Sequence, residues 1–318
     1  MENPRFSEGK VGLVLSGGGA KGAYQVGIVK ALAELGVQVE GISGASIGAM
    51  NGAVVASSAS MEDAAIRLEK LWETLAENPP VEDHQPTLLK AMNALGLEVK
   101  PGLRTAALFA KEMKRNLIST LSSPETGALV DNSRIQALMD DYITPEQLAR
   151  GLPLYVSVFP NRNYVESLIG SSLAVLGIKD NPKSEFLHVQ SLEPEEQRKA
   201  LLASAAIPFI FQEQEIGGEL YVDGGLGGLF TSQGNTPIEP LVENGYDTII
   251  VTSLSERSRW SRGEYPDVRL LEIDREEPID RAPVLPMVFD ILSFHPDMIR
   301  SWIEQGYGDA LRCFSRMA

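Results

Sequence analysis

Apolar and polar residues alternate along this chain in blocks that predict strands and helices in turn. Residues 11–15 are continuously apolar, as expected of a strand buried on both faces of a parallel sheet, and residues 247–254 predict another buried strand. Residues 23–35 instead repeat their apolar positions with the helical period. The alternation predicts an α/β fold with a mostly parallel central sheet and helices on both faces. We predict further strands at residues 37–42, 154–159, 164–169, 186–190, 209–216, 219–222 and 268–273, and further helices at residues 64–75, 88–95, 103–118, 134–142, 194–206 and 284–317, the last interrupted at Pro296.

One long segment, residues 61–121, departs from this alternation because it has helical character and no obvious strand. We predict that it forms a helical cap inserted into a main domain of residues 10–255. Residues 1–9 are a polar N-terminal tail. Residues 256–318 are predicted to be a mainly helical C-terminal extension that packs on the same domain.

Composition narrows the environment in which the protein acts. The 318 residues carry a formal net charge of −15, which disfavours nucleic-acid binding and unaided adhesion to anionic membranes. The single cysteine, Cys313, excludes an internal disulfide and fits a reducing compartment. No signal-peptide core and no apolar run of membrane-spanning length is present. We therefore expect a cytoplasmic protein.

The Gly-x-Ser-x-Gly motif around Ser46 predicts a nucleophile elbow. In such an elbow a strand turns sharply into a helix, and the serine lies at the tip of the turn. Gly44 and Gly48 flank the serine because a Cβ at either position would crowd the turn. Small residues follow, so the helix can lie close to the sheet. Taken alone, the motif is also compatible with a glycine-rich packing turn.

A glycine-rich loop at residues 17–22 separates the first predicted strand from the first predicted helix. Backbone N–H groups at such a helix start form a ready anion site, and two interpretations compete. Gly17, Gly19 and Gly22 match the dinucleotide-binding fingerprint, with Glu40 in the place of the ribose ligand. Alternatively, the loop is an oxyanion hole that faces Ser46. We favour the oxyanion hole, because the next strand ends in a serine elbow that dinucleotide binding does not need.

Three motifs occur in a fixed order: the glycine loop, the Ser46 elbow and Asp223-Gly224-Gly225. In this order and context they resemble the patatin-like phospholipases. The resemblance covers about residues 10–255 and extends to supporting stretches at residues 127–131, 203–208 and 235–240. It implies an α/β fold and an enzyme that hydrolyses the acyl esters of lipids, as a phospholipase A or a lysophospholipase.

The resemblance also implies a catalytic Ser–Asp dyad that works without a metal or another cofactor. Ser46 is the expected nucleophile, forming an acyl-enzyme, and Asp223 is the expected base. The expected partners are a phospholipid or other acyl ester and, transiently, a membrane surface, with no nucleic acid; an activator or a homo-oligomer remains open. The oxyanion hole is assigned to the loop of Gly17, Gly18, Gly19, Ala20, Lys21 and Gly22, with Lys21 in a supporting role, and Gly44, Gly48, Gly224 and Gly225 support the motifs.

A Ser–Asp–His triad competes with the dyad at the level of the sequence. It needs one of His84, His188 and His295, of which only His295 has the required chain order after Asp223. We expect each histidine to be structural or exposed. A nucleotide-binding protein, and a patatin fold that serves as an interaction module, also stay open. Residues 226–234 are a glycine-rich insertion relative to the family, which we expect to shape the site entrance or form a flap.

Overall fold

A mixed β-sheet runs through the part of the chain that the structure describes. This computed structural model describes residues 9–79, 133–161, 180–206, 212–255, 260–280, 290–291 and 293–316. The elements predicted at residues 88–95, 103–118 and 164–169, the stretch 127–131 and His84 lie outside these ranges. The strands are β1 (Val11–Leu15), β2 (Gly41–Ala45), β3 (Leu154–Pro160), β4 (Glu185–His188), β5 (Gln214–Ile216), β6 (Glu219–Asp223), β7 (Thr248–Thr252) and β8 (Arg269–Glu272).

The sheet order confirms the predicted fold class. Within the described residues, seven of the eight strands follow the order β5-β6-β3-β2-β1-β7-β8, and the eighth, β4, pairs with β3. Five neighbouring strands in this order are mutually parallel, namely β3, β2, β1, β7 and β8. Both β4 and β6 run antiparallel to β3 and share its outer edge, and β5 and β6 form a hairpin. Gly217 and Gly218 turn this hairpin with positive φ angles of 58° and 84°, a conformation that favours glycine.

The register of the strands brings two predicted site residues to one level of the sheet. Ala45, the last residue of β2, lies opposite Ser157 of β3, so the next residue, Ser46, follows at the level of Val158. Val158 pairs on its other side with Asp223, the last residue of β6. Ser46 and Asp223 are therefore neighbours across one strand, although 177 positions separate them in the sequence (223 − 46).

Helices cover both faces of the sheet because its strands alternate in the direction of their apolar side chains. On β1, Leu13 and Leu15 pack into the larger core cluster, whereas Val14 packs into a second cluster on the opposite face. The helices are α1 (Ala23–Glu34), α2 (Ile47–Ala56), α3 (Met61–Glu77), α4 (Ser133–Tyr142), α5 (Pro145–Arg150), α6 (Pro194–Ser204), α7 (Glu239–Glu243) and α8 (Pro296–Ser315).

The first part of the predicted cap, helix α3, packs into the main core. Its Leu68 and Trp72 are fully buried, and the helix contacts α1, α2 and α8. Ser60 caps its start by accepting a hydrogen bond from the Asp63 N–H. This helix therefore belongs to the layer that supports the sheet. The remainder of the predicted cap is not among the described residues, so a cap there stays a prediction.

The C-terminal helix α8 packs along α1. Its Trp302 and Phe314 are buried in the core, and the Tyr24 hydroxyl on α1 donates a 3.0 Å hydrogen bond to Asp309. Pro296 is its first residue, after His295. The extension is thus built into the layer that covers α1. None of the helices in the described ranges is both long and apolar enough to cross a membrane.

Candidate active site

Ser46 lies at a strained turn between β2 and α2, as the elbow motif predicts. Its φ and ψ angles are 53° and −125°, in a region that a residue with a side chain seldom adopts. In the described residues, Ser232 is the other non-glycine residue with positive φ. Helix α2 begins at the next residue and points its start toward the turn. Backbone strain of this kind clusters at functional sites, where the surrounding structure holds it in place.

The two flanking glycines allow the turn to approach the sheet. An added Cβ at Gly48 would lie 2.0 Å from the Leu15 carbonyl oxygen at the end of β1. At Gly44 it would lie 2.5 Å from the Gly48 carbonyl oxygen. Both contacts are with backbone, which a side-chain rotation cannot relieve. The glycine spacing of the motif thus has a steric cause on each side of Ser46.

The glycine loop lies directly against Ser46. A Cβ at Gly17 would be 3.2 Å from the Cβ of Ser46. The Gly17 N–H donates to the Asn235 carbonyl and the Lys21 N–H to the Gly18 carbonyl. In the described part of the chain, no acceptor pairs with the N–H groups of Gly18, Gly19 and Ala20. These three donors, followed by a helix start, are available to hold an anion beside the serine.

Lys21 is buried, and its charge is already paired. Its ammonium group forms a 2.9 Å ion pair with Asp280, and 4% of its side chain is exposed. Lys21 therefore does not face solvent. Asp280 belongs to the C-terminal extension, so the ion pair ties the glycine loop to that region. The chain also passes close to the loop at Ile291, whose carbonyl oxygen would lie 2.2 Å from a Cβ at Gly19.

Asp223 is a buried carboxyl group that faces the serine. Its residue surface is 8% exposed. Burial raises the pKa of the Asp223 carboxyl to about 6, while hydrogen bonding to the Gly225 N–H and to the Ser46 side chain lowers it in part. The Gly225 N–H lies 2.8 Å from Oδ1 of Asp223. A carboxylate with this pKa is a stronger proton acceptor than an exposed aspartate, yet it is still ionised at neutral pH.

Asn235 and Ser204 belong to the same site, although the sequence did not identify a role for either. Asn235 bonds Gly17 twice: its carbonyl accepts from the Gly17 N–H, and its amide donates to the Gly17 carbonyl at 3.4 Å. The Ser204 hydroxyl accepts a 2.9 Å hydrogen bond from the Ser46 N–H. Both residues lie in stretches that support the family resemblance, which was the available signal. Asn235 thus contacts the glycine loop, and Ser204 contacts the Ser46 elbow.

The insertion at residues 226–234 is braced by the segment that precedes β4. The Ser184 N–H donates to the side chain of Gln233 at 2.9 Å, and the Gln233 amide donates back to the Ser184 carbonyl at 3.1 Å. The Asn181 amide donates to the Leu226 carbonyl at 2.8 Å. The Gly228 N–H bonds the Pro182 carbonyl. The insertion is therefore an extension of the Asp223 turn that hydrogen bonds hold to residues 181–184. A flap would instead be expected to make few contacts with the rest of the protein.

The residues of the competing interpretations lie elsewhere. Glu40 precedes β2 and accepts from the Val11 N–H at 3.3 Å, at the end of the sheet opposite to the glycine loop. A ribose ligand must lie at the same end as the loop, so the assignment of Glu40 to a nucleotide is wrong. His188 stacks on Tyr155 at 5.0 Å, and burial lowers its pKa. His295 caps α8 with an exposed ring. Neither contributes to the shifted pKa of Asp223.

A serine at a strand–turn–helix elbow, beside a glycine loop with unpaired N–H groups, defines the class of α/β hydrolases with a serine nucleophile elbow. Within that class, the model of the patatin-like phospholipase family matches residues 13–242. The chain therefore belongs to the patatin-like phospholipase family, which confirms the resemblance. The matched region includes Ser46, Asp223 and the glycine loop, and it ends before Asp280.

The curated relatives match short stretches at high identity. Lysophospholipase nte1 of Aspergillus terreus is 59% identical over 49 residues, which are 15% of this chain and 3% of that protein. Patatin-like phospholipase domain-containing protein 7 of Mus musculus is 53% identical over 62 residues, 20% of this chain and 4% of that protein. The chain thus spans only a few per cent of the length of these relatives.

Two solved structures overlap nearly the whole chain at low similarity. VipD from Legionella pneumophila is 14% identical with a TM-score of 0.39, over 98% of this chain and 67% of that chain. ExoU in its heterodimeric complex with SpcU from Pseudomonas aeruginosa is 18% identical with a TM-score of 0.39, over 97% of this chain and 52% of that chain.

Proposed function

We propose that this chain is a lipid acyl hydrolase of the phospholipase A or lysophospholipase type, with Ser46 as nucleophile and Asp223 as base. One observation carries the proposal: the strained Ser46 lies at the same level of the sheet as the buried carboxyl group of Asp223. Burial raises the pKa of that carboxyl to about 6. At neutral pH about nine in ten such groups are ionised and ready to accept a proton. The family match and the names of the curated relatives support the lipid ester as substrate class.

In the proposed reaction, the Ser46 Oγ attacks the ester carbonyl carbon while its proton moves to Asp223. The carbonyl oxygen becomes an oxyanion, which the N–H groups of Gly18, Gly19 and Ala20 stabilise. The intermediate collapses, the C–O bond to the leaving alcohol breaks, and Asp223 returns the proton to that alcohol. A fatty acyl group remains on Ser46.

Deacylation follows the same route in reverse. Water attacks the acyl carbonyl and gives one proton to Asp223, and the same N–H groups hold the second oxyanion. Collapse releases the fatty acid and returns the proton to the Ser46 oxygen. The cycle needs one serine, one carboxylate and backbone donors.

The proposed function includes a substrate class, a transient contact with a lipid surface and a location in the cell. The substrate is a phospholipid, lysophospholipid or related acyl ester, which the protein meets transiently at a membrane or micelle surface. The net charge of −15 predicts weak binding to anionic vesicles in the absence of a partner. A cytoplasmic location, and the need for an activator or a homo-oligomer, stay predictions.

The test is fatty-acid release from lysophosphatidylcholine micelles and phosphatidylcholine vesicles by purified wild type, Ser46→Ala and Ser43→Ala. Ser43 is a matched control: it lies on the same strand, and its buried hydroxyl has no hydrogen-bond partner among the described residues. We expect Ser46→Ala to lower the rate by about 10⁴-fold or more, and Ser43→Ala to stay within about twofold of wild type. Folded wild type without Ser46-dependent release from either lipid, or from a short-chain nitrophenyl ester, contradicts the proposal.

A further inference from the structure

The C-terminal end of α6 contacts the backbone of both proposed reacting residues. Ser204 is the last residue of α6 and is fully buried. Its hydroxyl accepts the hydrogen bond of the Ser46 N–H at 2.9 Å. Two residues later, the carbonyl of Ala206 accepts the hydrogen bond of the Asp223 N–H at 3.1 Å. One three-residue segment thus holds the nucleophile on one side and the carboxylate on the other.

The Ser46 N–H needs a partner of this kind because the elbow removes it from regular structure. The strand β2 ends one residue earlier and α2 begins one residue later, so neither the sheet nor the helix supplies an acceptor. Ser46 is 7% exposed, and a buried N–H left unpaired costs stability. The acceptor comes from a residue 158 positions away in the sequence.

Helix α6 is a rigid support for this contact. It packs on α2, which follows Ser46, and on β6, which ends in Asp223. It also packs on β3 and β5. Its N-terminal end begins with Pro194 at the first turn and acidic residues that suit a helix start. A displacement of its C-terminal end would therefore change the separation between Ser46 and Asp223. Displacements of about 1 Å in a catalytic pair can cost about 100-fold in rate.

We propose that Ser204 is a positioning residue for ester cleavage. Its hydroxyl holds the Ser46 backbone, and the carbonyl of Ala206, two residues later, holds the Asp223 backbone. Together the two contacts set the separation between Ser46 and Asp223. The inference rests on the proposed function of Ser46 and Asp223. Ser204 takes no part in proton transfer, because its hydroxyl contacts the main chain of Ser46. The alternative is a structural role alone, in which Ser204 satisfies a buried N–H and contributes to stability without affecting turnover.

The experiment compares wild type, Ser204→Ala, Ser204→Cys and the Ser43→Ala control on a soluble nitrophenyl ester. Fluorophosphonate labelling counts the competent sites, so that kcat refers to folded enzyme only. Hydrogen exchange of the segment around Ser46 reports the contact itself, independently of turnover. We expect Ser204→Ala to lower kcat per labelled site about 10- to 100-fold, with KM within about twofold of wild type and faster exchange. Ser204→Cys is expected to be intermediate, because a thiol is a weak acceptor.

Each outcome decides between the two roles. Wild-type kcat per labelled site in Ser204→Ala, whatever its thermal stability, overturns the positioning role. If Ser204→Ala does not fold, Ser204→Cys carries the same comparison, and an unchanged kcat there overturns it equally. If wild type shows no Ser46-dependent turnover, the proposed function fails by itself. In that case unchanged exchange at Ser46 in a folded Ser204 variant overturns the contact as well.

Discussion

The two arms that carry Ser46 and Asp223 are built in different ways. The Ser46 arm is a parallel strand in the middle of the sheet, and it turns into a helix through a strained residue. The Asp223 arm is an antiparallel strand near the edge of the sheet, and it ends in a short 3₁₀ turn that Asp223 itself caps through the Gly225 N–H. Backbone sterics place Ser46, whereas pairing with distant strands places Asp223.

The two arms also hold their unfavourable free energy in different forms. At Ser46 the cost is conformational, of the order of 1–3 kcal/mol for a residue held at such angles. At Asp223 the cost is electrostatic, since burial moves the pKa from 3.8 to about 6. That shift corresponds to about 3 kcal/mol at neutral pH. Steric substitutions should therefore act mainly on the first arm, and changes of charge or pH mainly on the second.

The largest effect is expected for Gly48→Ala in the Ser46 arm. Its Cβ would lie 2.0 Å from the Leu15 carbonyl, and the end of β1 cannot retreat because it is paired to β2 and β7 on its two sides. We expect a loss of more than about 4 kcal/mol in the free energy of unfolding, or no folded protein. Urea unfolding and soluble yield measure it.

Gly36→Ala is the matched control for this steric prediction. Gly36 has a positive φ of 67°, and nothing lies within 4 Å of a Cβ built there. The substitution should cost about 1 kcal/mol, from the backbone angle alone. Equal losses for Gly48→Ala and Gly36→Ala would show that the elbow has no special steric requirement.

A smaller effect of opposite sign is expected for Asp223→Asn in the other arm. The folded-state pKa is raised, so the folded wild type loses stability as the pH rises from about 4 to about 6. The neutral variant escapes this loss, and its side-chain oxygen can still accept from Gly225. At pH 8 it should be more stable than wild type by up to about 3 kcal/mol, while activity is lost.

The difference in stability should shrink as the pH falls from about 6 toward about 4, because wild type then becomes neutral too. Urea unfolding of both proteins at pH 8 and pH 5 measures it. A variant that is less stable than wild type at pH 8 would contradict this electrostatic account. So would a difference that does not depend on pH.

The sequence predicts the Ser46 arm better than the Asp223 arm because the first depends on neighbours in the chain. The elbow glycines, the turn and the following helix lie within a few residues of Ser46. Even there, the strand was predicted at residues 37–42, whereas β2 is Gly41–Ala45. Glycine has a low strand propensity, and pairing to β1 and β3 on both sides overrides it.

Contacts between distant residues account for what the sequence did not predict. The Lys21–Asp280 ion pair joins residues 259 positions apart, and no local pattern reports it. The sequence likewise does not show that β4 and β6 both pair with β3, because pairing between distant strands leaves no local pattern. Asn235 and Ser204 were visible only as parts of familiar stretches, since their hydrogen bonds run to other motifs. The assignment of Glu40 was wrong because sequence distance does not specify at which end of the sheet a residue lies.

The most direct test of the Ser46–Asp223 pair is the pH dependence of the rate at which a fluorophosphonate labels Ser46. If Asp223 is the base, the rate for wild type should rise with pH through a single ionisation at about 6, the raised pKa of Asp223. The residual rate of Asp223→Asn should be far lower and should lack that ionisation. An ionisation near 6 that persists in Asp223→Asn, or labelling of both proteins at the same rate, would contradict the account.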